Sequence, residues 1–225
     1  MDNINIFLKY FSRVLVLLLI FPLCDVARGV AARWMGDDTA ERSGRLTLNP
    51  ISHLDPIGSI LILLIGFGWT KPMPINYRNM RDPRKGVLLT SVAAPAALLI
   101  SGLVCNLISN LLLCLDSVYN STNFNIGLCV YILMGFISRI SVCLAVLFLL
   151  PIPPMDGFFI LKHFAGDKFE RWYYSNQQNI NIVSMIILIL LFTLPSQINP
   201  LDYLINFVDG LVGLVFGWIP AVRWK

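Results

Sequence analysis

Apolar and polar positions along the chain segregate into long blocks. Nearly unbroken apolar runs cover about 14–32, 87–115, 126–150 and 179–194. A helix needs about 20 residues to cross a hydrocarbon core of about 30 Å, so each run reads as a membrane span, the last a short one. A fifth run, 204–219, is interrupted by Asp209 and by glycines and either spans or lies at the interface. The run 57–69 has thirteen residues, too few for a comfortable span, and reads as re-entrant or interfacial. The pattern predicts an all-α integral membrane protein, a polytopic helical bundle of about 4–6 membrane segments in a single domain over 1–225.

Composition agrees and narrows the function classes. Of 225 residues, 56% are apolar and only 13% charged, with mean hydropathy +0.72. A soluble domain of this length has too much surface for its volume to hide so much apolar side chain. The net charge of +4 is small, and the basic residues lie in loops, which disfavours nucleic-acid binding. Arg33, Arg42, Arg45, Lys71, Arg78, Arg81, Arg84 and Lys85 flank the run 57–69 on both sides. Keeping them together requires that run not to cross, which places the loop 33–86 in the cytoplasm of a multi-pass cell-membrane protein. The cost is an external amino terminus carrying Lys9 and Arg13. These two precede an apolar core as in a signal peptide, but no small-x-small cleavage site follows before Asp25. The five cysteines include no C-x-x-C pair and read as buried thiols.

Ionisable residues at membrane depth are functional candidates. Asp25 and Arg28 stand one helical turn apart in the first span, and Arg139 lies mid-span in the third. Asp156 follows that span in Pro151-Ile152-Pro153-Pro154-Met155-Asp156-Gly157, whose prolines forbid regular helix. The topology puts Asp25, Arg28 and Asp156 at one membrane face, where they can meet. The plainer alternatives are an ion pair between Asp25 and Arg28 and a helix-capping role for Asp156.

Several stretches in register resemble the site-2 protease family in its compact bacterial form. They include Gly36-Asp37-Asp38-Thr39-Ala40, Gly44-Arg45-Leu46-Thr47-Leu48-Asn49-Pro50 and His53-Leu54-Asp55-Pro56. Others are Phe67-Gly68-Trp69-Thr70-Lys71-Pro72, Asn76, Asn79 and Leu149 to Gly157. The resemblance covers about 23–165 and leaves the segments at about 179–219 as a C-terminal addition. It implies an intramembrane zinc metalloprotease, in which a first helix carries His-Glu-x-x-His and a later Leu-Asp-Gly turn gives the third ligand. It also implies short membrane-associated strands near 40–56, able to pair with an unfolded substrate segment or only to brace the fold.

The motif itself is altered. In the family its first His stands twelve residues ahead of the glycine that is Gly36 here, so its five positions are Cys24-Asp25-Val26-Ala27-Arg28. Cys24 can ligate zinc as thiolate and Asp156 matches the third ligand. Asp25 takes the place of the general base, one methylene shorter. Arg28 cannot ligate, since guanidinium stays protonated and has no free lone pair. Two asparagines usual in the family are Leu98, after Ala94-Pro95, and Phe148 here. With Asn49, Pro50 and Pro95 they mark the substrate groove that the resemblance implies. His53 and His163 are the only histidines, neither expected near the motif helix, and His163 is expected to be solvated. These departures point to a pseudoprotease that binds membrane-embedded segments of partner proteins, with zinc absent or weakly held. The alternative is an active enzyme with an atypical metal site. An ion pair between Arg28 and Asp156, flanked by Asp25, is expected to take over the metal's structural role.

Overall fold

The structure, a computed structural model, describes residues 2–65, 68–113 and 126–193, together with 203, 206, 207 and 210. Helix α1 (Asp2–Leu15) runs through a wide π turn (Val16–Ile20) into α2 (Phe21–Trp34) as one continuous rod. The wide turn immediately precedes Pro22, which has no N–H for the carbonyl four residues back and whose ring would clash with it. Short α3 (Thr39–Arg42) and α4 (Pro56–Ile65) follow, then long α5 (Pro83–Leu113) and α6 (Ile126–Phe148). The last element, α7 (Asp156–Thr193), is a helical hairpin whose arms reverse at Gly166, where φ is 76° and ψ 175°. The reversal brings Phe158 against Tyr173 (ring centroids 4.8 Å apart) and Lys162 against Glu170 (3.0 Å).

Among the described residues three helices are long and apolar enough to cross a membrane: Ile4–Trp34, Pro83–Leu112 and Ile126–Phe148. They overlap the first three expected spans, the first beginning at Ile4 where the expectation began at 14, so that Lys9 and Arg13 fall inside the helix. The fourth, 179–194, falls in the second arm of α7 at the edge of the described residues, and 204–219 lies almost wholly outside them. The segment 40–56 departs from expectation: no strand forms among the described residues, and this stretch is α3, turns and a single 3-10 turn (Pro50–Ser52). The physical reason is local. The Asn49 side chain accepts from the Ile51 N–H (3.2 Å), and Pro50 supplies a preset φ with no N–H to offer a neighbouring strand.

The core lies between the first rod, α5 and α6. Val16, Leu17, Phe21 and Cys24 pack with Ile62, Ala94, Leu98, Ile137, Leu144 and Ala145. Close approach of α5 to α6 depends on Gly102, where a Cβ would press on Val142 and the Ser138 carbonyl. Small residues at such a crossing let helix backbones approach in a bilayer. The rod and α5 are joined at one end, where Gly36, held at φ 105°, turns the chain out of α2. There the Arg81 N–H bonds to the Met35 carbonyl (2.9 Å).

Candidate functional site

Asp25 and Arg28 stand one turn apart in the middle of α2. The turn after α6 delivers Asp156 to the same place. This turn folds tightly because residue 157 is glycine: a Cβ there would collide with the Leu149 and Leu150 carbonyls. Arg28 Nη2 donates to Asp156 Oδ2 at 2.6 Å, and the two side chains are 23% and 13% exposed. The expected pair is therefore present in the structure. Burial pushes the Asp156 carboxyl up from 3.8 to about 6, against the opposing pull of the Arg28 guanidinium. Arg28 Nε is buried with no hydrogen-bond partner, so part of the guanidinium's donor capacity is unspent.

Asp25 has turned elsewhere. Its Oδ2 lies 3.0 Å from His53 Nδ1, and its Oδ1 accepts from the Thr70 hydroxyl at 3.1 Å. His53 Nε2 is 2.7 Å from the Thr47 carbonyl oxygen. A carbonyl only accepts, so Nε2 carries a hydrogen. The contact between Asp25 and Nδ1 then needs one more proton, either as imidazolium with carboxylate or as neutral imidazole accepting from a carboxylic acid. His53 is 1% exposed and Asp25 4%. This corrects the sequence reading, which put neither histidine near the motif helix. The missed signal was the need itself: a carboxylate at membrane depth must find donors. His53 and Thr70, both in the recognisable stretches, are the partners it finds.

Cys24 is 3% exposed, in the same apolar cluster as the fully buried Leu98 and the partly buried Phe148. Two positions that carry asparagine in the resembled family thus add hydrocarbon to the cluster that contains Cys24. Pro95 is fully buried inside α5, while Asn49 and Pro50 form the capped turn already described and contribute nothing to the charge cluster. Arg139 is exposed on α6. His163, expected to be solvated, is half-buried and donates from Nδ1 to the Arg84 carbonyl at 3.2 Å, docking the α7 hairpin on the start of α5.

Asp37, unassigned by sequence, holds the surrounding loops. It is fully buried; its Oδ1 accepts from the Thr39 hydroxyl, the Thr39 N–H (3.2 Å) and the Asn79 amide (3.1 Å). Its Oδ2 accepts from the Asn76 N–H (2.7 Å). Burial opposes its ionisation, but these donors outweigh burial and hold the carboxyl below its ordinary value. One carboxylate thereby explains why Gly36-Asp37-Asp38-Thr39-Ala40, Asn76 and Asn79 occur together.

The arrangement does not fit a zinc ion. Zinc asks for three or four N, S or O donors with free lone pairs converging on one point. Here Asp156 is engaged by Arg28, both nitrogens of His53 are engaged, and guanidinium offers no lone pair. Among the described residues no three His, Cys, Asp or Glu side chains come together as a metal-binding group.

No family model matches the chain, and no solved structure matches it. A curated relative does. The Bacillus subtilis (strain 168) protein named "Putative zinc metalloprotease YwhC" is 40% identical over 152 residues, 66% of this chain and 67% of that protein. Identity at that level over two thirds of the relative shows common descent, and the chain belongs to that relative's metalloprotease family.

Proposed function

We propose that the protein is a catalytically inactive, site-2-protease-like membrane protein that holds a membrane-embedded segment of a partner protein without cutting it. The observation that carries this reading is the 2.6 Å pair between Arg28 and Asp156. A metalloprotease needs an ion there to polarise the scissile carbonyl and to activate water. A guanidinium can do the first only as a hydrogen-bond donor and cannot do the second. The unspent Arg28 Nε donor leaves capacity to hold a peptide carbonyl. Leu98 and Phe148 around Cys24 support the same reading, because hydrocarbon there suits an apolar guest and not a hydrated reaction. Replacement of four motif positions, at 24, 28, 98 and 148, has the character of drift after catalysis ceased.

A second reading is an active enzyme with an atypical metal site. It is favoured by one contact, His53 at 3.0 Å from Asp25, which brings an imidazole to the motif helix. Zinc content of detergent-purified protein separates the two. The inactive reading predicts well under one zinc per ten chains in the wild type and in Asp156→Ala. The combined change Cys24→His, Asp25→Glu and Arg28→His should gain zinc that Asp156→Ala abolishes. Near-stoichiometric zinc in the wild type, lost in Asp156→Ala, would establish the metalloenzyme and end the inactive reading.

A further inference from the structure

We propose that α4 is a hinged, re-entrant lid over the first membrane rod, and that Arg13 is its latch. The inference holds whether the site beneath cleaves or only binds. Its starting point is the path of the chain between His53 and Lys71. These two residues lie side by side, the Lys71 N–H bonding to the His53 carbonyl at 2.9 Å. Between them the chain leaves as α4 and has returned to Gly58 by Gly68. A Cβ on Gly58 would collide with the Trp69 carbonyl, and one on Gly68 with the Gly58 carbonyl. Glycine at both positions is what lets the returning chain lie on the helix.

The base of this hairpin is fixed at the candidate site, through Thr70 to Asp25 and through the His53 contacts. Its first turn is stabilised by Asp55, whose Oδ1 accepts from the Gly58 N–H at 2.8 Å. Its tip is fixed far away. Arg13 Nη1 donates to the Leu63 and Leu64 carbonyls at 2.6 and 2.7 Å. Arg13 stands twelve residues before Asp25 on one rod, about 18 Å along the axis at 1.5 Å per residue. That is roughly half of a hydrocarbon core.

Two costly features satisfy each other here. The last carbonyls of a helix have no intrahelical partners, and in hydrocarbon an unpaired carbonyl is expensive. A buried arginine in a span is expensive too, and its favourable place is at a helix C-terminus. Arg13 is 8% exposed and supplies donors where the tip of α4 needs them. The same contact accounts for a basic residue that the charge pattern of the loops leaves stranded.

The hairpin also covers something. Ile62 is fully buried against the cluster that contains Val16, Phe21, Cys24 and Leu98. The opposite face of α4 carries Ile57, Ile60 and Leu64, which are 65%, 57% and 66% exposed. A guest segment arriving from that side reaches Cys24 and Asp25 only after α4 moves. The polar contacts at the base and the single arginine at the tip define a hinge and a catch.

The test uses full-length protein with its other cysteines changed to alanine, and N-ethylmaleimide as probe. One version keeps Cys24, and another is cysteine-free with Ile62→Cys. Arg13→Ala should raise the labelling rate at both positions at least tenfold, and Arg13→Lys should restore most of the protection. Unchanged labelling in Arg13→Ala protein that still melts cooperatively would overturn the latch. Faster labelling at 62 with none at Cys24 would overturn the lid's guarding of the site. Equal acceleration by Gly102→Ala at the α5–α6 crossing, at matched loss of Tm, would show general loosening and also refute the proposal. If Arg13→Ala does not accumulate, hydrogen exchange on the wild-type protein decides. Amides of 57–65 must exchange faster than those of α2 and α5, and co-exchange of all three would overturn the lid.

Discussion

The pair between Arg28 and Asp156 makes a quantitative demand on stability. Breaking a buried ion pair by removing one partner leaves an uncompensated charge and costs about 3–5 kcal/mol, while removing both is often near neutral. Burial acts against the ionised carboxyl at the same time. The rise of the Asp156 carboxyl from 3.8 to about 6 corresponds to about 3 kcal/mol of disfavoured ionised form. That is a net figure, with Arg28 already present and pulling the other way. We therefore expect Arg28→Met and Asp156→Ala each to cost about 3 kcal/mol at pH 7.5, roughly 6–12 °C in Tm for a chain of this size. The double variant should be no less stable than either single one, giving a coupling of roughly 3 kcal/mol. The assay is a thermal-melt double-mutant cycle in detergent, repeated at pH 5. Because the folded carboxyl is raised, its own contribution to stability is fully present below 3.8 and is lost as pH rises through about 6. At pH 5 Asp156 is mostly protonated, so the coupling should fall by more than half while the wild type gains stability. Losses that simply add, within about 0.5 kcal/mol at pH 7.5, would refute the ion-pair reasoning.

Two further perturbations address the flanking network. His53→Ala should cost about 2–4 kcal/mol, because it opens a cavity, leaves Asp25 with Thr70 alone and orphans the Thr47 carbonyl; Asp25→Asn, which can still accept from Thr70, should cost less than half as much in the same melts. Asp37→Asn should cost about 2–3 kcal/mol at neutral pH and flatten the acid limb of a Tm-against-pH curve, since a lowered carboxyl lends stability above about pH 4 that is lost as pH falls through its folded value.

Much of this was legible in the sequence, for identifiable reasons. Three spans follow from run length alone, and the meeting of Arg28 with Asp156 follows from placing two expensive charges at one face of a bundle. The run 57–69 was readable as too short for a comfortable span, and its helix has ten residues, about 15 Å. The expectation of strands at 40–56 came from the resemblance and failed here because the local structure is decided by the Asn49 cap and Pro50. His53 was missed because a contact across 28 residues leaves no periodicity to read. Arg13 was readable as an anomaly of charge but not as a cap, since its partners are backbone carbonyls, which every residue possesses. Asp37 was visible as part of a motif, and only burial revealed what the motif is for.

Charge arithmetic links the altered motif to the observed contacts. A site of the resembled kind balances a zinc dication against two carboxylates. In this chain the two carboxylates are still there, at Asp25 and Asp156. Arg28 brings one positive charge to Asp156. The hydrogen that His53 must keep on Nε2 for the Thr47 carbonyl means that Asp25 and His53 together hold one proton beyond carboxylate and neutral imidazole. One guanidinium and one proton make two positive charges, and the cluster is neutral again. Neutrality is what burial at membrane depth demands, because an uncompensated charge there is far costlier than a satisfied pair. The same count explains why both carboxylates persist although the positions of both motif histidines have changed. Losing Asp156 would leave Arg28 unbalanced, and losing Asp25 would leave His53 Nδ1 without its partner. Asp25 and Asp156 are thus required by the charges now opposite them, whatever chemistry first placed them there.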